Sequence, residues 1–399
     1  MVNMQDIDAV EDWLIEQALG SALVPDMFGE MCQRLRDCHL PVDRAMLAWA
    51  TLHPLIRSEV AFWQAGEAVR HERIEHAEAG NEAWMTSPMR ALLDSAEPTL
   101  RRRLEQANAE HDYPVCRDLA EAGYTDYLAI KVHFDMPAIA DMEGKTGIIV
   151  SWATRTPGGF PDDALHAIHY IQKRLALAAR ANLEAQITKT IAETYLGTWA
   201  GSKVLSGQIR HGDGETIKAV IFYCDMRNST SIAEDLGPDG YLKFLNTYFE
   251  ATAGAVLKEG GEVLDFIGDA VLGIFPISNL GLEEAGRRAI AATDEVRHRL
   301  EALNRTGEEK HPLKVGMALS VGDVMFGNIG VSTRLTFSVI GQTVHAAARI
   351  EALTKAVGVE TLMTRDIADL VPDRQDPVGS FELTGFASKR PLFSLNPVR

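Results

Sequence analysis

The sequence predicts an α+β chain of two domains joined by a long helix, and three observations predict it. At 399 residues the chain exceeds what one ordinary hydrophobic core accommodates. Short apolar runs rich in strand formers alternate with helical periodicities in both halves. Between the halves, Pro157-Gly-Gly-Phe-Pro161 breaks the chain, and an uninterrupted helical stretch follows it. The expected boundaries are 1–160 for the first domain, 161–209 for the connecting helix and a hinge, and 210–399 for the second domain.

In the first domain Ile7, Val10, Trp13, Leu14 and Ala18 recur at helical spacing, and Phe28, Met31 and Leu35 mark a second helix after Pro25. Runs at 44–51, 59–64, 127–134 and 147–153 have strand character, with helices expected near 89–95 and 117–122. The connecting helix begins at Pro161-Asp-Asp. Ile168, Ile171 and Leu175 form one stripe, continued after an alanine-rich run by Leu183, Ile187 and Ile191. That stripe suits either a seam with a second copy of the helix or packing on its own domain. Residues 199–202 and 207–214 carry glycines and read as the hinge.

The second domain alternates strands and helices. Strands are expected at 217–224, at 263–275 as a pair around Gly268-Asp269, and at 313–319, 334–340, 380–383 and 392–395. Helices are expected at 229–235, 240–257, 283–304 and 344–355. A sheet with helices on one side follows from that order.

Composition narrows the function. Hydrophobic residues at 46% and charged residues at 24% describe a soluble globular protein. No apolar run approaches the about 20 residues of a membrane span, and the first residues lack a secretory pattern. A cytoplasmic protein without membrane contact is expected. The net charge of −17 argues against a nucleic-acid partner but not against a nucleotide, since a cation can bridge carboxylates to phosphates. Cys32, Cys38, Cys116 and Cys224 have neither zinc nor disulfide spacing and are expected to be reduced thiols.

Three places carry chemistry. Asp225 ends the apolar strand Ala219-Val-Ile-Phe-Tyr-Cys, and a helix opens just beyond Arg227-Asn-Ser-Thr230. A carboxylate there is either a metal ligand beside phosphate-binding backbone N–H groups or a simple helix cap. Asp269 sits at the apex of the hairpin Val263-Leu-Asp-Phe-Ile-Gly-Asp-Ala-Val-Leu-Gly-Ile-Phe275. Two aspartates at neighbouring strand ends can share two divalent ions. His345 and Arg349 stand four apart on one helix face, where a guanidinium can stabilise charge on a transferring phosphate or form a surface ion pair. Thr343 is expected to cap that helix.

In order along the chain, Phe222-Tyr-Cys-Asp-Met-Arg-Asn-Ser-Thr230, Phe266-Ile-Gly-Asp-Ala-Val-Leu-Gly-Ile-Phe275, Gly322-Asp-Val-Met-Phe-Gly-Asn-Ile-Gly330 and Val339-Ile-Gly-Gln-Thr-Val-His-Ala-Ala-Ala-Arg349 resemble the catalytic domain of class III adenylyl/guanylyl cyclases over about 215–396. The resemblance implies a ferredoxin-like sheet domain acting as a homodimer, each site built across the interface. The stripe on the 161–200 helix is expected to add to the contact between the two copies. It implies that Asp225, Asp269 and the Met226 carbonyl hold two Mg²⁺ or Mn²⁺ ions, and that Arg349, from the partner chain, stabilises the transition state. The phosphate loop falls on Arg227, Asn228, Ser229 and Thr230. The reaction implied is attack of the ribose 3′-hydroxyl of a nucleoside triphosphate on its α-phosphate, releasing pyrophosphate.

Several positions depart from that pattern. Asp265 stands where adenylyl cyclases carry an adenine-reading lysine, Ser338 where its partner stands, and His345 where an asparagine orients the ribose. A carboxylate serves the N1 and N2 donors of guanine and only the N6 donor of adenine. Asn228 and Ser229 replace a Gly-Phe pair, and Lys389 is the nearest match to a triphosphate-binding lysine. ATP is the expected substrate and cyclic AMP the product. A guanylyl cyclase using GTP, favoured by Asp265, and a cyclase-fold regulatory module without turnover are the alternatives. The signature of diguanylate cyclases is absent.

The first domain resembles a GAF-type sensor in the order of its elements, which implies a small-molecule effector acting through the connecting helix. His39, His53, His71, His76, Cys32 and Cys38 lack metal spacing. Trp13, Trp49, Trp63 and Trp84 suit either a pocket or a core.

Overall fold

The computed structural model describes residues 3–78, 80, 82–105, 112–134, 146–210, 212–331, 333–383 and 389–397. The chain divides into two compact units, Met1–Ile191 and Ala192–Arg399.

In the first unit, α1 (Met4–Leu19) and α2 (Val24–Asp37) lead into β1 (Arg44–Ala50), β2 (Ile56–Gln64) and β3 (Arg70–Glu75). The short helices α3 (Glu82–Met85) and α4 (Pro88–Asp94) precede β4 (Thr99–Arg103), α5 (Pro114–Glu121), β5 (Asp126–His133), β6 (Gly147–Thr154) and α6 (Asp162–Leu196). The strands form one antiparallel sheet in the order β3-β2-β1-β6-β5-β4. Because strand residues alternate between faces, Ala45, Leu47 and Trp49 pack with α1, α2 and α6, while Met46 and Ala48 pack with α4 and α5. Trp49 and Trp63 are buried and Trp13 and Trp84 half-buried, all four packed in these cores. All four cysteines are free thiols.

The stripe on α6 divides between the two uses open to it. Ile168, Ile171, Leu175 and Leu183 are buried in the core of the first unit, so they are not available to a second helix. Ile187 is half-buried, whereas Ile191 and Tyr195 are exposed.

The second unit takes in the last residues of α6, from Ala192, and continues into α7 (Thr198–Leu205). The expected hinge at 199–202 is therefore helix. Gly201 lets its backbone pass close to Ala192, and the Trp199 ring is wedged 4.5 Å from Phe326 and 5.7 Å from Phe337. Then come β7 (Gly214–Met226), α8 (Ser229–Lys258), β8 (Glu262–Ile267), β9 (Ala270–Pro276), α9 (Ile277–Thr306), β10 (Val315–Val331), β11 (Arg334–Ile340), α10 (Gln342–Val357), β12 (Thr361–Thr364), α11 (Arg365–Ala368), β13 (Gln375–Phe381) and β14 (Arg390–Leu395). Gly237, at φ 67°, and Pro238 after it kink α8 between the two helical stretches read from the sequence.

The sheet order is β13-β14-β12-β10-β7-β9-β8, with β11 folded back on β10. Helices cover both faces, not one. Val220, Phe222 and Cys224 of β7 point to α8 and α9, while Ala219 and Ile221 point to the face where Ala347 of α10 packs. The apolar positions of α10, Ala346, Ala347 and Ile350, are buried there. Among the described residues no helix is long and apolar enough to cross a membrane.

Candidate active site

β7 lies between β9 and β10. Its pairing with β9 ends at Cys224↔Val271, whereas its pairing with β10 continues through Asp225↔Gly316 and Met226↔Val315. Asp225 thus projects past the end of β9, on the flank where the β8–β9 turn carries Asp269. Gly268 makes that turn at φ 67°, a conformation that suits glycine. The two carboxyl groups come within hydrogen-bonding reach of each other.

Burial and the Asp269 charge, reinforced by Glu351, raise Asp225 from the usual carboxylate range to about 7, against the stabilising N–H of Met226. Burial, helped by the same three carboxylates, pushes the Tyr223 phenol up to about 12. Concentrated negative potential of this kind is relieved by a cation.

Two residues beyond Asp225 the chain turns into α8. Asn228 takes the left-handed conformation, φ 62°, and its side chain makes no capping hydrogen bond. The first intrahelical bond found is Ile232 N–H to the Asn228 carbonyl at 3.1 Å. The amides of Ser229, Thr230 and Ser231 therefore lack intrahelical acceptors, at a helix end that favours anions. Arg227 departs from its expected place among phosphate contacts. Its guanidinium turns inward, 2.9 Å from the Glu351 carboxylate and hydrogen-bonded to the Thr354 hydroxyl, while its amide donates to Lys314 O at 2.8 Å. Met226 buries its side chain in the core, leaving only its main chain for the site.

On α10, His345 and Arg349 are both exposed, as their spacing of four requires. Glu351, two residues on and so about 200° around the helix, is 3% exposed and faces the sheet. Arg349 is accordingly turned away from the carboxylate pair of its own chain. The Thr343 hydroxyl does not cap α10. It donates to Asp323 O at 2.8 Å, and Gly341 occupies the cap position.

Asp265 is exposed on β8, where Leu264 forms a bulge between the pairs Val263↔Gly273 and Asp265↔Leu272. Ser338 is half-buried on β11 opposite Gly327, and β11 approaches β8. Lys389 is an exposed lysine 3.6 Å from Glu382, and residues 384–388 before it lie outside the described ones.

Glu351 had no role in the sequence reading. The available signal was its place on the apolar face of α10 beside Ala347 and Ile350, where an acid needs a cationic partner.

Asp225 and Asp269 are hard oxygen donors, the chemistry that Mg²⁺ and Mn²⁺ prefer. Among the described residues no group of three or more His, Cys, Asp or Glu is arranged to hold a metal. The pair fits an ion that completes its shell with main-chain and substrate oxygens.

Residues 214–383 match the family model for the adenylate and guanylate cyclase catalytic domain. An adenylate cyclase of Anabaena cylindrica is 32% identical over 165 residues, covering 40% of this chain and 32% of the relative. The terminal-differentiation-specific adenylate cyclase of Dictyostelium discoideum is 28% identical over 192 residues, covering 48% of this chain and 9% of the relative. The chain thus spans about a third or less of these relatives. Among solved structures, a bacterial light-regulated adenylyl cyclase covers 57% of this chain and 65% of its own, at 23% identity and a TM-score of 0.47.

Proposed function

We propose, from the premise that residues 214–383 form a class III nucleotide cyclase catalytic domain, that this chain converts ATP into cyclic AMP and pyrophosphate at sites shared by two copies. The observation that carries the reading is the convergence of Asp225 and Asp269 beside the uncapped start of α8.

In this reading Asp225, Asp269 and the Met226 carbonyl hold two divalent cations. When bound, these ions lower the pKa of the ribose 3′-hydroxyl and balance charge on the departing pyrophosphate. The amides of Ser229, Thr230 and Ser231 hold phosphate oxygens and orient the α-phosphorus for in-line attack. Arg349 faces away from its own carboxylates, which supports its delivery to a second copy. There it neutralises charge that grows on the phosphoryl group. His345, on the same exposed face, orients the ribose by a hydrogen bond. The GAF-like reading of 1–160 extends the proposal: an effector bound there alters the 161–209 segment and so the fit of the two copies.

ATP is proposed as substrate because the curated relatives reported above are adenylate cyclases. One observation favours a second reading. Asp265 is exposed on β8 with no lysine in its place, and a carboxylate suits guanine, so GTP is the alternative.

The test is purified protein with Mn²⁺ and each of ATP and GTP, with the product identified by mass. A cyclic nucleotide from either, and silence of Asp225→Ala, is expected. An inactive wild-type protein with intact folding leaves the regulatory-module reading.

A further inference from the structure

The loop after Asp225 is held at two levels. Its main chain is fixed through the Arg227 amide to Lys314 O, at 2.8 Å. Its side chain crosses the end of the sheet to α10, where the Arg227 guanidinium meets the Glu351 carboxylate at 2.9 Å and the Thr354 hydroxyl. Thr354 in turn donates to the Glu351 carbonyl one turn back. Glu351 is 3% exposed and Thr354 fully buried. Room for the pair is made by Gly316, the residue opposite Asp225 on β10, because a Cβ there would collide with both Glu351 Oε1 and the Arg227 guanidinium.

This contact joins two parts with different duties. At one end is the segment that carries Asp225 and Met226 and opens α8. At the other is α10, whose opposite face carries Arg349. A buried ion pair is costly to form and costly to break, and one use of such a pair is to fix geometry. Here the geometry fixed is the metal loop of one site and the pitch of a helix that serves another.

We propose that Glu351 is a positioning residue for two sites at once: through Arg227 it holds the metal loop of its own chain, and through α10 it aims Arg349 at a second copy. The proposal rests on the shared-site reading above. It names a physical link by which the two sites of a dimer sense each other.

Mixed dimers of the full-length protein separate the two duties. An Asp225→Asn chain mixed with an Arg349→Ala chain leaves one complete site, with metal ligands from the second chain and the arginine from the first. Adding Glu351→Gln to the metal-supplying chain should raise the Mn²⁺ concentration for half-activity about tenfold, the range seen when outer-shell partners of metal ligands are lost. Adding it instead to the arginine-supplying chain should lower kcat about tenfold or more, with the Mn²⁺ requirement unchanged. Independently of turnover, Mn²⁺ titration followed by electron paramagnetic resonance should show about tenfold weaker binding to Arg349→Ala/Glu351→Gln than to Arg349→Ala. If the single change leaves too little folded protein, Arg227→Met with Glu351→Gln removes both charges and is read the same way. Equal losses in both placements, or unchanged Mn²⁺ binding, would overturn the proposal in favour of a contact that only holds the fold. If the parent mixture itself recovers no activity, the shared-site reading fails first, before Glu351 is touched.

Discussion

Asp225 and Asp269 lie side by side because β9 stops pairing with β7 at Cys224↔Val271, while β10 carries β7 on past Asp225↔Gly316. The closeness of the two carboxyls is a strain in the metal-free protein. Burial and the Asp269 charge raise Asp225 from 3.8 to about 7. A carboxyl whose folded-state pKa is raised contributes stability that is fully present below its unfolded value and lost as pH rises through the folded one. Metal-free protein should therefore lose stability between pH 4 and 7 from this group. At pH 8 Asp225→Asn should stabilise it by roughly 1 kcal/mol, discounted for the half-exposed site, or about 2–4 °C in Tm. Saturating Mg²⁺ should stabilise the wild type and not the variant. A lower Tm for Asp225→Asn in chelator would mean that the two carboxyls do not repel.

Arg349 and Glu351 face opposite sides of α10, Arg349 toward solvent and Glu351 against the sheet. Asp225→Ala and Arg349→Ala should each be inactive alone. Mixed in equal amounts they should recover up to roughly a quarter of wild-type activity, since half the dimers then contain one complete site of two. Recovery absent under conditions of proven subunit exchange would place Arg349 outside the reaction.

The parts that were legible in the sequence are those where one physical signal dominates. The strand ending in Asp225, the hairpin apex at Asp269 and the face shared by His345 and Arg349 all follow from local periodicity. Edge strands escaped it: β3, Arg70-His-Glu-Arg-Ile-Glu, and β4, Thr99-Leu-Arg-Arg-Arg, have little apolar alternation because they border the sheet. β10 extends to Val331 because Gly322, Gly327 and Gly330, which look like breaks, are close-approach positions within one long strand. The inward turn of Arg227 depends on Glu351, more than 120 residues later, and no local pattern reports such a partner.

Asp265 is exposed on β8, next to the bulge at Leu264. If it reads the base, Asp265→Lys removes an acceptor suited to guanine and supplies a donor suited to adenine N1. The ratio of kcat/KM for GTP to that for ATP should fall at least about tenfold. An unchanged ratio would show that Asp265 does not touch the base.

Trp199 is the packing anchor of α7. Its ring fits between Phe326 and Phe337, and its backbone N–H donates to the Glu262 carboxylate on β8. Trp199→Ala should cost about 2–4 kcal/mol of second-unit stability through the cavity it leaves. Because β8 carries Asp265 and β11 carries Ser338, the KM for nucleotide should rise as well. A flexible hinge at 199–202 would predict neither change, and calorimetry with steady-state kinetics distinguishes the two.

Gly316 is required for lack of a side chain, not for backbone freedom. A methyl group there would overlap Glu351 Oε1 and the Arg227 guanidinium, both largely buried and already hydrogen-bonded. Overpacking of this kind costs about 1–3 kcal/mol. The strain falls on the contact that holds the loop after Asp225, so Gly316→Ala should weaken Mn²⁺ binding together with stability. Gly307→Ala is a useful control: Gly307, at φ 68°, ends α9 with open space around its Cβ position. It should lower Tm by backbone strain alone and leave Mn²⁺ binding unchanged. Equal Mn²⁺ affinities for the two variants at matched stability would mean that crowding Glu351 and Arg227 is felt by the core but not by the site.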